Sequence, residues 1–179
     1  MSTLLIERLL CAIPFLGLLC MVQCAPAAYT KRRSTVVYVV RHAEKLDPMD
    51  RDSPLSPAGM ERAEALADTL ARTGVQVIHA TTLQRTQQTV APLAEREGLR
   101  PVLLDPGATE ELVRLIRSGN EGQVVLVAGH NNTVPTIVRA LSGADIGAIP
   151  ENRYDRLFKV TIAGDAATVE ELRYGKPTP

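Results

Sequence analysis

Residues 36–45 read VVYVVRHAEK. Four valines and a tyrosine run without polar interruption into Arg41 and His42. A short β-branched run with no alternation is the signature of a strand covered on both faces, as in the parallel sheets of α/β proteins. Ligands of open α/β sheets bind in the crevice beyond the carboxyl ends of the strands. An arginine and a histidine at that end stand where a site would form. The rest of the chain then has to be read for segments that bring complementary groups to the same edge.

Strand and helix signals alternate outward from this stretch. Residues 46–54 are rich in Asp and Pro and read as a loop. Ser56-Pro57 offers an N-cap followed by a first-turn proline. Ala63, Leu66, Ala67, Leu70 and Ala71 make an apolar stripe at helical spacing, ended by Thr73-Gly74. Residues 75–80 read as a second strand, 83–96 as a helix stopped by Gly98, and 100–104 as a third strand. After the turn Asp105-Pro106-Gly107, a helix is expected over 109–117, with Thr109 as its cap and Glu110 and Glu111 suited to its first turn. Residues 124–128 form another unbroken apolar strand and 134–141 a helix. Residues 156–162 and 167–172 read as a hairpin around Gly164-Asp165, and the tail from Gly175 as disordered. This order predicts an α/β fold, a three-layer sandwich with a mostly parallel central sheet flanked by helices.

Composition narrows the function. The 179 residues suit one ordinary domain, and the formal net charge of zero gives no electrostatic case for nucleic-acid binding. Tryptophan is absent and aromatics make up 3%, which leaves little for stacking platforms. Cys11, Cys20 and Cys24 all lie in an apolar leader, residues 1–28, that carries Arg8 before its apolar run and an A-x-A-like site at Ala25-Pro26-Ala27. The leader reads as a signal peptide for export to a periplasmic or extracellular space. The alternative is a membrane anchor, which would confine any membrane association to this segment. Lipid attachment at Cys20 or Cys24 is disfavoured by Leu19 and Gln23 before them, and Lys31-Arg32-Arg33 counts against translocation. Residues 29–174 then form the domain and 175–179 the tail.

Two apolar strands end in a histidine: one in Arg41-His42, the other in Gly129-His130. A third strand-to-helix junction carries Arg85. The carboxyl ends of parallel strands share one edge, so Arg41, His42, Arg85 and His130 are expected to converge. Two guanidiniums and two imidazoles around one crevice suit a doubly charged tetrahedral anion. Each residue alone has an ordinary reading. An Arg-His pair is commonly a surface accident, Arg85 a solvated helix residue and His130 a cap, while His79 inside a strand reads as structural. Asn131, Asn132 and Thr133 read first as caps. Only the conjunction points to chemistry.

Four motifs carry a resemblance: VVYVVRHAEK, LSPAG at 55–59, TTLQRTQQT at 81–89 and VVLVAGHNNTVP at 124–135. In this order they resemble the histidine phosphatase superfamily, which includes phosphoglycerate mutases and many phosphatases, and the compact layout is similar to its short-form branch. The resemblance implies that His42 is the nucleophile, that Arg41, Arg85 and His130 bind the phosphoryl group, and that no metal or other cofactor is needed. It implies a small phosphorylated substrate, a phosphomonoester or phosphoramidate. Thr81 fills a place where the family often has serine, and Asn131 is a candidate substrate contact. Ala43 replaces a frequent glycine, and Arg62 a common glutamine.

The pattern thins at the general acid. Many relatives keep it in an insertion between the second arginine motif and the second histidine, and here that interval is short. Glu44 and Asp105 are the leading candidates, with Glu110 and Glu111 behind them. The gap leaves a second reading open: a phosphate-binding or interaction module of the same fold without significant catalysis. A mutase role is disfavoured because the chain has little length for lid segments.

Overall fold

The computed structural model describes residues 34–179; the leader, its cysteines and the basic 31–33 segment lie outside the described residues. The described chain runs β1 (Thr35–Arg41), α1 (Pro57–Leu70), β2 (Val77–Thr81), α2 (Gln84–Glu97), β3 (Val102–Leu104), α3 (Thr109–Gly119), β4 (Val124–Gly129), α4 (Thr133–Ser142), β5 (Arg156–Ala163) and β6 (Ala166–Arg173). One six-stranded sheet has the order β3-β2-β4-β1-β5-β6. The four strands on the β3 side pair in parallel, and the β5–β6 hairpin adds two antiparallel neighbours. The expected mostly parallel α/β sheet is present.

The unbroken apolar runs explain the layers. Successive side chains of a strand point to opposite faces. Tyr38 and Val40 therefore pack with Leu66, Leu70, Val90 and Leu93 of α1 and α2 on one face. Val37 and Val39 pack with Leu112, Ile116, Val134 and Ile137 of α3 and α4 on the other. Both faces are closed, which is why β1 and β4 carry no polar residue until their ends. β3, at the sheet's edge, is short, and Val102 and Leu103 stay exposed.

Local signals work as read in most places. The Ser56 hydroxyl accepts from the Gly59 N–H at 3.1 Å, Pro57 opens α1, and Gly98 ends α2 in a left-handed conformation that costs glycine nothing. Gly59 has a second role. A Cβ there would lie 2.3 Å from the Glu44 carbonyl oxygen, so the bare glycine lets α1 close directly onto the segment after His42.

Two expectations are corrected. Thr109 does not cap α3: Ala108 occupies the cap position without a side-chain bond, and Thr109 is already helical. The tail from Gly175 is fastened rather than disordered. Lys176 pairs with Glu61, its carbonyl accepts from Arg62 at 3.0 Å, and the Thr178 hydroxyl donates to the buried Asp155 at 2.7 Å. Short-range pattern gave no hint of these anchors because their partners lie up to 115 residues away.

Candidate active site

The register of the parallel pair places the two histidines side by side. Arg41 of β1 stands opposite Gly129 of β4, so His42 and His130 are the next residues on adjacent strands. The His42 N–H donates to the Gly129 carbonyl at 2.9 Å and holds the chain ends together. The two rings meet edge to face, with centroids 5.4 Å apart. Arg85, in the first turn of α2, reaches them from the end of β2. Arg41, His42, Arg85 and His130 thus line one open cleft of about 1010 Å³, as the sequence led one to expect.

Hydrogen bonding assigns the tautomers. His42 Nδ1 lies 2.7 Å from the Ala43 carbonyl oxygen, which only accepts, so Nδ1 carries the proton. In the neutral ring Nε2 then holds the free electron pair. Burial pushes His42 from the ordinary histidine value down to about 3, and the charges of Arg41 and Arg85 act in the same direction against the hydrogen bond to Ala43. His130 is lowered to about 4, again first by burial and then by Arg85 and Arg41. Both rings are therefore neutral at neutral pH, and His42 Nε2 is a nucleophile without prior loss of a proton.

His130 is fixed by a relay of hydroxyls. The Thr86 hydroxyl donates to the carbonyls of Thr81 and Leu83, so it accepts from the Thr81 hydroxyl at 2.8 Å. Thr81 in turn accepts from His130 Nε2 at 3.3 Å, which leaves Nδ1 to accept from an Arg85 terminal nitrogen, also at 3.3 Å. Thr81 thus acts on His130. Asn132 sits at the cap of α4 without a side-chain bond, while the Thr133 hydroxyl accepts the His130 N–H. His79 is structural as expected: it is buried and bonded to Asn120 at 3.0 Å.

The two guanidiniums share one feature. Arg41 is buried, and its Nη1 donates to the carbonyls of Pro150, Glu151 and Arg153 at 2.7–3.2 Å. Its Nη2 donates to a Glu151 carboxylate oxygen at 3.0 Å and to the Tyr154 hydroxyl at 3.4 Å, and its plane stacks 4.1 Å from the Tyr154 ring. Arg85 donates through Nη1 to the Arg51 carbonyl. In both, Nε is buried and has no hydrogen-bond partner. A buried donor left unpaired costs about 1–3 kcal/mol.

The carboxylates fall differently from expectation. Both Glu44 oxygens are held by Arg62, at 2.8–3.0 Å, and Arg62 also donates to the carbonyls of Tyr174 and Lys176. Glu44 lines the cleft, but neither oxygen is free to meet a leaving group. Asp105 is exposed, accepts the Gly107 N–H at 2.8 Å within its own turn, and is not among the lining residues of the cleft. Glu110 and Glu111 stay in the first turn of α3. Sequence reasoning missed Glu151, Tyr154 and Thr178, which also line the cleft. No spacing signal marks them, because they come from the α4–β5 connection and the tail. Among the described residues no group of three or more His, Cys, Asp or Glu is placed to hold a metal ion, and no helix is long and apolar enough to cross a membrane.

Comparison with known proteins follows the same lines. A sequence profile of the histidine phosphatase superfamily (branch 1) matches residues 37–111. An uncharacterized protein of Mycobacterium tuberculosis, Rv0525, is 39% identical over 82 residues, 42% of this chain and 40% of the relative's length. The match thus spans less than half of that relative. A structure from Agrobacterium tumefaciens, assigned as the phosphohistidine phosphatase SixA, superposes with a TM-score of 0.60 at 26% identity over 80% of this chain and 99% of its own. The mycobacterial glucosyl-3-phosphoglycerate phosphatase Rv2419c superposes at 0.64 with 14% identity, over 80% and 100%; at that identity the likeness is one of fold.

Proposed function

Because the chain belongs to the histidine phosphatase superfamily, we propose that it hydrolyses phosphomonoesters or phosphoramidates through a phosphohistidine on His42. One observation carries this reading: His42, its Nδ1 fixed on the Ala43 carbonyl, lines one cleft with His130 and with two arginines whose buried Nε groups have no partner. His42 Nε2 attacks phosphorus as the bond to the leaving group breaks; water then cleaves the P–N bond and returns the ring. Arg41 and Arg85 clamp the phosphoryl oxygens. Phosphoryl transfer has a loose transition state, so in-line positioning and charge stabilisation supply most of the rate. His130 holds Arg85 in place through Nδ1. Positive charge from the two guanidiniums supports a site that works without metal.

The substrate is a small phosphorylated molecule that enters an open cleft. The structural relatives named above differ in substrate, a phosphohistidine in one and a sugar-linked phosphoglycerate in the other, so the shared chemistry is the phosphoryl group. The leader supports export, with a membrane anchor as its alternative; N-terminal sequencing of the natural protein checks it, and an intact Met1 in a soluble cytosolic fraction overturns it.

The decisive test is H42A. Turnover of 4-nitrophenyl phosphate is expected to fall at least about a thousandfold, about 4 kcal/mol of transition-state stabilisation, and the acid-labile phosphoryl label on rapidly quenched wild-type protein to vanish. Retained turnover in H42A overturns the proposal. Binding of phosphate or vanadate with no turnover of any phosphomonoester, phosphoramidate or phosphohistidine would instead favour the binding module.

A further inference from the structure

The cleft has one exposed carboxylate. Among the described residues, Glu44 and Glu151 are the acidic residues that line it, and Glu44 is committed to Arg62. Glu151 is 83% exposed, and its two oxygens take different partners: one accepts from Arg41 at 3.0 Å, the other from the Asn131 amide at 2.7 Å. Arg41 precedes His42 and Asn131 follows His130. The carboxylate is thereby held by the chain neighbours of both histidines.

We propose that Glu151 is the proton donor to the leaving group, from the loop after α4 rather than from the interval between Arg85 and His130. The assignment rests on the phosphatase reading above. In-line attack by His42 sends the leaving oxygen away from the buried ring, and Glu151 is the exposed carboxylate that lines the same cleft. The bridge to Arg41 is also a place a phosphoryl oxygen would contest. A phosphoryl dianion that takes the Arg41 donor leaves a carboxylate facing it, and two such anions share a site only with a proton between them. That proton is the one the leaving oxygen needs.

The step balances. As the P–Nε2 bond forms and the P–O bond breaks, the protonated Glu151 carboxyl gives its proton to the departing alkoxide, which leaves as an alcohol. Glu151, now a carboxylate, takes a proton from the water that attacks the phosphohistidine, and the P–N bond breaks. Inorganic phosphate and neutral His42 result. Asn131 and Tyr154 keep the side chain and Arg41 in register.

The test is the leaving-group dependence of E151Q, which keeps size and the contact to Arg41 but has no proton to give. Wild type and E151Q are compared on a series from 4-nitrophenyl phosphate through phenyl phosphate to an alkyl phosphate. The loss is expected to grow with the basicity of the leaving oxygen and to reach about 10²–10⁴-fold in kcat/KM on the alkyl ester, the usual worth of general acid catalysis. The basic limb of the alkyl-ester pH profile should disappear, while phosphohistidine still accumulates from the nitrophenyl ester. Equal losses across the series would mean that Glu151 only positions Arg41, and no loss anywhere would mean that it is a bystander; either overturns the assignment. Failure of the phosphatase reading itself looks different, since H42A would then keep nitrophenyl phosphate turnover whatever E151Q does.

Discussion

Two arginine–carboxylate pairs meet at the cleft: a floor pair, in which Glu44 lines the cleft and Arg62 lies outside the lining, and a rim pair, Arg41 and Glu151, in which both line it. In the floor, the Arg62 side chain is 5% exposed and Glu44 21%; the guanidinium takes both oxygens and the carbonyls of Tyr174 and Lys176. At the rim, Arg41 is equally buried but Glu151 is 83% exposed and holds on by one oxygen to each of two partners. The first pair ties the segment after His42 to α1 and to the tail. The second rests on single-oxygen contacts of an exposed side chain. The same chemical pair is a fastener when water is excluded and an exchangeable contact when it is not, because solvent competes for the exposed partner and screens it.

The difference can be broken from the top down. The largest loss is expected for H42A, in activity and not in stability, with both pairs intact; a thermal scan alongside the assay separates the two. Next is pH. His42 and His130 stay neutral down to about 3 and about 4 when folded, because burial opposes their charge, but take protons near 6.5 when unfolded. The unfolded chain then binds more protons, so stability falls as pH drops from about 6.5 toward about 4, by up to about 1.4 kcal/mol per pH unit for each histidine. Denaturant titrations across that window check it. The acid limb of kcat/KM, corrected for substrate ionisation, should correspondingly lie well below 6.5.

The pairs themselves come next. R62A leaves Glu44 facing the cleft floor without its cation and frees the tail, and is expected to cost about 3 kcal/mol, whereas E151A should barely move the unfolding midpoint. Equal costs would erase the distinction between floor and rim. G59A is expected to cost about 1–3 kcal/mol, the usual penalty of overpacking, because its Cβ would press on the Glu44 carbonyl. An unchanged midpoint would show that α1 can shift away from the floor.

Legibility in the sequence follows the same divide. His42, His130 and Arg85 were found because each ends or follows an element whose apolar pattern declares it, and parallel pairing brings such ends to one edge. Glu44 was visible as a candidate acid, but the residue that holds both its oxygens, Arg62, stands 18 positions on and reads in the sequence only as a replacement of a common glutamine. Asp105 was visible as the end of a strand, yet β3 lies at the far edge of the sheet and its turn closes on itself.

By itself the sequence determined the α/β alternation, the burial of β1 and β4 on both faces and the identity of the histidine pair, because these depend on hydrophobic period and on residues at strand ends. The tertiary structure decided how each cleft carboxylate is held, what fastens the tail, and how Arg85 and His130 come to orient one another. Those depend on contacts between segments 18 to 115 residues apart, and no local pattern encodes the partner of a side chain that folding brings in from elsewhere.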